Sequence, residues 1–258
     1  MTIASRIISS LAAGWTQGTL TTAITNAMVS AGFSSATPYS VSGTNYLAYN
    51  FSSGSGANAS TVYRIAITTG FAVSHQLFST LNTGTNSGTN GSGEQFSTAF
   101  TSSQLVTFHS LNASPEYRAV LMVQGGVAIL LGVFNPTNKA DVWSLESWNH
   151  AFIFSSFTAL VSTSNNPFSN TAYTPKPLGD SNLASPATAF NASTIKGGLD
   201  VYTNSNQGCW TQTSGDIAAA PTSGRSRGDT FSVPNGQTTD TYLVCAVTNG
   251  GLVLKISS

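Results

Sequence analysis

The sequence predicts a mainly β fold, antiparallel and sandwich-like, opened by a short pair of helices. Two observations carry the β reading: apolar runs that double back through glycine pairs, and a period-of-two alternation across residues 39–51 and 61–68. A third is compositional. The 258 residues hold only nine Lys or Arg and nine Asp or Glu, and the segments between apolar runs are built from Ser, Thr, Asn and Gly. An ordinary soluble domain is about a quarter charged, so this surface must be hydrated by neutral amides and hydroxyls.

Residues 1–33 read as helical. Ile3, Ile7 and Leu11 recur at a spacing of four, and Leu20, Ile24, Ala27, Met28 and Ala31 follow Thr19 on one helical face. The expected elements are a helix over 5–12 and a second over 19–31, with Gly32 as the stop and Phe33 folding back on the last turn. Trp15 between them is a packing anchor. The pair serves either as an attachment module or as a cap on the sheet that follows, and divides a segment 1–33 from a β domain over 34–258.

Residues 39–51 alternate around a Gly43-Thr44 turn, 61–68 repeat the same period, and 105–111 read likewise as a strand. Two hairpins stand out: 117–123 and 127–134 joined through Gly125-Gly126, and 242–247 and 252–256 joined through Asn249-Gly250-Gly251. Such pairs supply the positive φ angles that tight primed turns need. In each hairpin a Tyr lies eight positions before a turn glycine, which reads as one set of hairpin rules used twice and not as a duplication. The low-complexity tract 82–93 and the Pro-studded 162–182 are long neutral loops, either linkers or surface carried on a rigid scaffold.

Charge and cysteine usage exclude several functions. A formal net charge of zero leaves no basic stripe for phosphates, so nucleic acid and anionic membranes are not expected partners. The same neutrality favours self-association, since little repulsion holds copies apart. The N-terminal stretch lacks the uninterrupted apolar core of a secretory leader, and no run nears the ~18 apolar residues of a membrane span. Synthesis in a cytosol without membrane insertion is expected. Cys209 and Cys245 have no metal or redox spacing and are read as reduced thiols, a disulfide being open to them only in an oxidising compartment.

No nucleophile, phosphate-loop, dinucleotide or zinc motif occurs. No catalytic residue, cofactor or metal ligand is assigned, and the chain is expected not to be an enzyme. Glu146 and His150 would share a helical face, yet a short helix capped by Asp141 with Trp143 and Trp148 packing explains them equally. His75 and His109 lie in strand-like runs and are read as partnered imidazoles. Arg227-Gly228-Asp229 is read as a chance triplet in a turn, and the sequons opened at Asn50, Asn58, Asn90, Asn112 and Asn191 as products of composition. What remains is a surface of hydroxyls, amides and aromatic rings, suited to glycan or protein contact. Trp210, beside Asn204, Asn206 and Gln207, is the candidate ligand contact, against the alternative of a core Trp at a strand start.

With an N-terminus of short helices and strands spaced by loops such as 83–93, the chain resembles virion structural proteins of tailed bacteriophages: tail, fibre or baseplate-associated components and small decoration proteins. It departs from fibrous members in having neither a collagen-like repeat nor heptads, so a compact subunit fits better than a shaft. The resemblance implies a virion protein made in the host cytoplasm, most often tail or baseplate associated. Its partners would be further copies of itself and other virion proteins, and its candidate attachment element the N-terminal segment. The alternatives are a capsid decoration protein, a lectin or adhesin reading host surface glycan, and, least favoured, a polysaccharide depolymerase.

Overall fold

A computed structural model describes residues 5–52, 60–89, 91–135, 137–139, 151–155, 158–161, 172–176, 195–203, 209–247 and 251–258. In chain order the first elements are β1 (Ser5–Leu11), α1 (Gln17–Ser30), β2 (Thr37–Val41), β3 (Thr44–Ser52), β4 (Ser60–Ile67), β5 (Val73–Phe78), β6 (Thr80–Asn82), β7 (Ser87–Thr89) and β8 (Gln95–Phe96). Next come β9 (Val106–Ala113), β10 (Tyr117–Gln124), β11 (Val127–Phe134), β12 (Asn138–Lys139), β13 (Phe152–Ser155), β14 (Thr158–Val161) and β15 (Ala172–Lys176). The remaining strands are β16 (Lys196–Gly197), β17 (Asp200–Thr203), β18 (Cys209–Gln212), β19 (Ile217–Ala219), β20 (Thr230–Asn235), β21 (Thr238–Ala246) and β22 (Leu252–Ser257). Every strand pairing among the described residues is antiparallel.

The sheets stack in three layers. A middle sheet runs β1-β9-β10-β11-β13-β14-β15-β17-β18-β12. One outer sheet runs β2-β3-β4-β5-β8, and the other runs β16-β19-β22-β21-β20. Side-chain parity in the middle sheet sorts the two cores. Val106, Phe108, Val120, Met122, Ile129, Leu131 and Val133 face α1 and the β3–β5 side, where they meet Leu47, Tyr49, Tyr63, Ile65 and Leu77. Leu111, Tyr117, Ala119, Leu121, Leu130 and Phe134 face the other way, onto Ile217, Leu243, Leu252 and Leu254. A strand covered on both faces gains apolar burial from every residue. For that reason β10 and β11 read as near-continuous apolar runs while β4 alternates.

Both predicted hairpins form. Gln124 pairs with Val127 across Gly125 and Gly126, and β21 pairs with β22, its turn at 248–250 lying outside the described residues. The β2–β3 turn sits one residue earlier than Gly43-Thr44: Val41 pairs with Thr44, and Ser42 and Gly43 take φ of 50° and 80°, the double positive φ of a type I′ turn.

The N-terminal helical pair is a strand followed by one helix. Residues 5–11 form β1, paired along its length with β9 from Ser5↔Asn112 to Leu11↔Val106. A spacing of four is even, so Ile7 and Leu11 share a strand face as readily as a helix face, and the adjacent β-branched Ile7-Ile8 favours the extended chain. The second helix stands as α1. Its Thr16 N-cap receives the Thr19 N–H at 3.3 Å while Thr19 Oγ1 receives the Thr16 N–H at 2.8 Å, a capping box made entirely of hydroxyls. At the other end Gly32 has φ +86° and the Phe33 N–H reaches back to Met28 O at 3.1 Å. Phe33 is buried and lies at 5.3 Å from the Tyr49 ring. Leu20, Ile24, Ala27 and Met28 bury the inner face of α1, and Ser110 Oγ donates to Ala27 O at 2.9 Å. The helix therefore caps the sheets. Trp15 anchors its start, with Nε1–H donating to Gln104 O at 2.9 Å and its ring 4.8 Å from Phe71.

Part of the low-complexity tract is itself a hairpin, β6–β7, held against the outer face of β4–β5. A Cβ on Gly88 would run into the Phe78 ring, so the approach is open only to glycine. Arg64 bolts this cover down: its guanidinium lies 4.8 Å from the Phe78 ring and 5.3 Å from the Tyr46 ring, and donates to Gln76 Oε1, Asn86 Oδ1 and Glu94 Oε1.

Candidate functional site

The structure does not assemble the predicted ligand contacts into a described site. Trp210 is the second residue of β18, which lies between β17 and β12; Asn204, Asn206 and Gln207 lie outside the described residues. Asp141, Trp143, Glu146, Trp148 and His150 lie outside them as well. Among the described residues no three His, Cys, Asp or Glu side chains are grouped to hold a metal ion. No helix among them is long and apolar enough to cross a membrane.

Two other places carry unspent chemistry. The first is the rim formed by β1 and α1. Among the described residues β1 is an end strand of the middle sheet, bonded on one side to β9. Ile7 is 49% exposed, Ile8 57% and, on the outer side of α1, Val29 53%. A groove of about 360 Å³ runs between β1 and α1, with Leu11, Ala23 and Phe108 in its wall. Natural edge strands are blunted with charge, proline or a bulge, and β1 has none of these on its open side. Its single charge, Arg6, turns back over the sheet, with Nη2 donating to His109 Nδ1 at 2.9 Å. Burial, then the Arg6 charge, pull the His109 pKa down to about 4, so the ring is a neutral acceptor.

The second place lies where the three layers meet beside β11. β11 pairs with β13 at Phe134↔Phe152, and residues 128–130 of that edge border a cavity of about 260 Å³. Its walls come from all three sheets: His75 of β5, the 95–98 segment, Leu130, Phe154 of β13, Arg227, and Cys245 and Leu252 of β21 and β22. Phe96 stands at this cavity and is 68% exposed.

A polar relay in the core ends at His75, one of the residues that border the cavity. Gly132, at φ +152°, donates its N–H to Tyr63 Oη at 2.8 Å, and Tyr63 Oη lies 2.8 Å from His75 Nδ1. Gly132 is needed, because a Cβ there would sit 2.5 Å from Arg118 O. The Tyr63 hydroxyl hydrogen finds no other acceptor among the described residues, so it is directed at Nδ1, which is then bare. His75 is 1% exposed, and burial lowers its pKa to about 3. The ring is therefore neutral with its proton on Nε2, and that Nε2 has no hydrogen-bond partner.

The remaining polar groups of the cavity are neutral or cationic. Arg227 is half-buried and engaged in neither of the two ion pairs found among the described residues, Arg64–Glu94 and Lys255–Asp240. Its loop is fixed by the backbone: Gly228, at φ +91°, donates its N–H to Val244 O at 2.8 Å, and the Asp229 carboxylate accepts the Ser226 N–H at 2.7 Å. Arg227-Gly228-Asp229 thus has a structural setting as a tied turn. Cys245 is a free, buried thiol whose pKa burial pushes up, the reverse of what a nucleophile requires.

Sequence reasoning passed over His75 and Tyr63 as a pair. The available signal was parity: both fall on the inward face of strands whose other inward residues, Ile65, Val73 and Leu77, are apolar, and a polar side chain on a core face calls for a partner. Comparison with protein-family models, curated proteins and solved structures gave no match.

Proposed function

We propose that the chain is a structural subunit that assembles non-covalently with copies of itself and neighbouring proteins, as a component of a phage particle at the tail or baseplate. The observation that carries the reading is β1: seven residues of end strand with Ile7 and Ile8 exposed on its two faces and no charge left to guard the open side. Such an edge offers unpaired backbone donors and acceptors to a strand of like sequence. The groove beside α1 continues the same apolar surface. Low charge favours the same reading, because copies at high local concentration meet little repulsion. The particle itself is supported by composition and layout alone, and the capsid decoration alternative uses the same contact physics at another place.

Light scattering on the purified chain, with Ile8→Lys as the comparison, tests the edge. The reading expects a multimer that the lysine converts to monomer without loss of fold, whereas a native chain that is monomeric at tens of micromolar overturns it. Labelling of purified particles with an antibody to the chain tests the location, with tail or baseplate decoration expected and capsid decoration favouring the alternative. Glycan binding lost in Trp210→Ala with assembly intact would shift the reading to a lectin.

A further inference from the structure

We propose that β1 pairs with β1 of a second copy, antiparallel about a two-fold axis at Ile8, so that the middle sheets of two subunits join into one. The inference rests on the assembly reading above and names the contact that carries it. Among the described residues six strands end the three stacked sheets: β1 and β12, β2 and β8, β16 and β20. β8, β12 and β16 are two residues long, too short to hold a docked strand. β2 and β20 are longer but carry Pro38 and Pro234. A proline in an end strand turns its nitrogen, which has no hydrogen to give, toward the open side. β1 is left as seven residues without proline. The one described edge that complements an unbroken β1 is therefore another β1.

Two identical edges that meet in one sheet are related by a two-fold axis normal to it, which makes the strands antiparallel. Outward-pointing backbone groups alternate along β1, so residues that face each other across the contact share parity and their numbers sum to an even total. A sum of 16 pairs the whole strand: Ser5 with Leu11, Arg6 with Ser10, Ile7 with Ser9 and Ile8 with itself. A slip to the next even sum leaves two residues of each strand unpaired. The full register also keeps like charges apart. Each Arg6 faces a Ser10, and the two arginines lie about 13 Å apart along the strands, beyond the ~8 Å screening length of physiological salt. Parallel pairing in register would set them side by side. Ile8, 57% exposed in the single chain, is covered by its own counterpart in a β-branched cross-strand pair of the kind that stabilises antiparallel sheets.

Cysteine scanning tests the contact. Cysteines are placed singly at Ser5, Ile7, Ile8, Ser9 and Ser10 of the full chain, which is oxidised with copper phenanthroline at tens of micromolar while light scattering reports its mass. Mass spectrometry of the linked peptides separates these links from any through Cys209 or Cys245. The linking rate is expected to peak at Ile8→Cys and to fall by about tenfold or more at Ser5→Cys and Ser10→Cys, whose counterparts lie about 20 Å and about 13 Å away along the strands. A peak at Ile7→Cys or Ser9→Cys marks a slipped register, and equal rates at all five positions mark parallel strands; either overturns the proposal. A multimer that links at none of them overturns this contact and leaves the assembly reading standing. A chain that stays monomeric overturns both.

Discussion

Acidification should destabilise this protein through His75, and the size of the effect follows from its surroundings. In the unfolded chain the imidazole titrates near 6.5; in the fold burial holds it at about 3. Protonation would turn Nδ1 from acceptor to donor, facing a Tyr63 hydroxyl whose hydrogen already points at it. Because the folded pKa lies below the unfolded one, the unfolded chain takes up the proton first as pH falls. The stability His75 confers is complete above pH 6.5 and is lost progressively down to about 3. Each pH unit inside that window removes about 1.4 kcal/mol, so moving from pH 7 to pH 5 removes about 2 kcal/mol. Against a total of about 5–15 kcal/mol for a typical fold this is a large fraction. His109 acts in the same direction more weakly, its ring being less deeply enclosed. Asp240, beside Lys255, is held below the ordinary carboxylate range and loses its contribution only at more acid pH, whereas Asp216, raised by burial, opposes the trend. Comparison with His75→Gln cancels both carboxylate effects. Urea unfolding at pH 7, 6 and 5 should show the native chain losing stability faster than His75→Gln by about 1.4 kcal/mol per unit below pH 6.5. Equal slopes in the two proteins, or a His75 ring proton that titrates near 6.5 in the folded chain, would refute the reasoning.

The relay itself can be cut. Tyr63→Phe removes one oxygen and strands both the Gly132 N–H and His75 Nδ1; urea titration should show a loss of about 2–4 kcal/mol at neutral pH. Gly132→Ala meets Arg118 O and an unsuitable φ at once and should cost about 3 kcal/mol or more, whereas Gly125→Ala, with nothing near its Cβ, carries only the turn's φ of 54° and should cost about 1 kcal/mol; thermal melts of the two variants compare them directly. Ile8→Lys should leave the melting temperature within a few degrees while lowering the mass measured by light scattering, since the side chain already faces solvent.

The middle layer was legible in outline. Its 117–134 hairpin announces itself through glycine pair and apolar run, and the lack of alternation there is the mark of burial on both faces. What the sequence did not show was which third layer covers it, since that depends on contacts between residues more than a hundred positions apart, such as Leu121 with Leu252 in one core. β1 was missed for a specific reason: neither face is buried, so no packing preference broke the degeneracy between a helical and an extended reading of Ile7 and Leu11. Residues 82–93 look like linker because their glycines serve a close approach to Phe78, and a close approach leaves no periodic trace. The cavity beside β11 was invisible for a like reason, its walls arriving from three sheets.

The scarcity of charge also has a local physical basis in this fold. Where many surface strands carry ion pairs, these carry hydroxyl pairs: Thr80 and Thr89 lie 2.6 Å apart across β6–β7, and Ser232 and Thr241 3.0 Å apart across β20–β21. On α1 the threonines at 21, 22 and 25 each return a hydroxyl to the carbonyl four residues back, and its first and last turns hold no acid or base. Cross-strand hydroxyl pairs are short-ranged and insensitive to salt, so they stabilise neighbouring strands without building a repulsive field around the molecule. A strand that docks on β1 therefore meets a single charge, Arg6, drawn back over the sheet onto His109; otherwise it has the open backbone groups to satisfy and Ile7 and Ile8 to cover. The substitution that makes an edge solitary, a lysine at its centre, is the one feature this surface lacks.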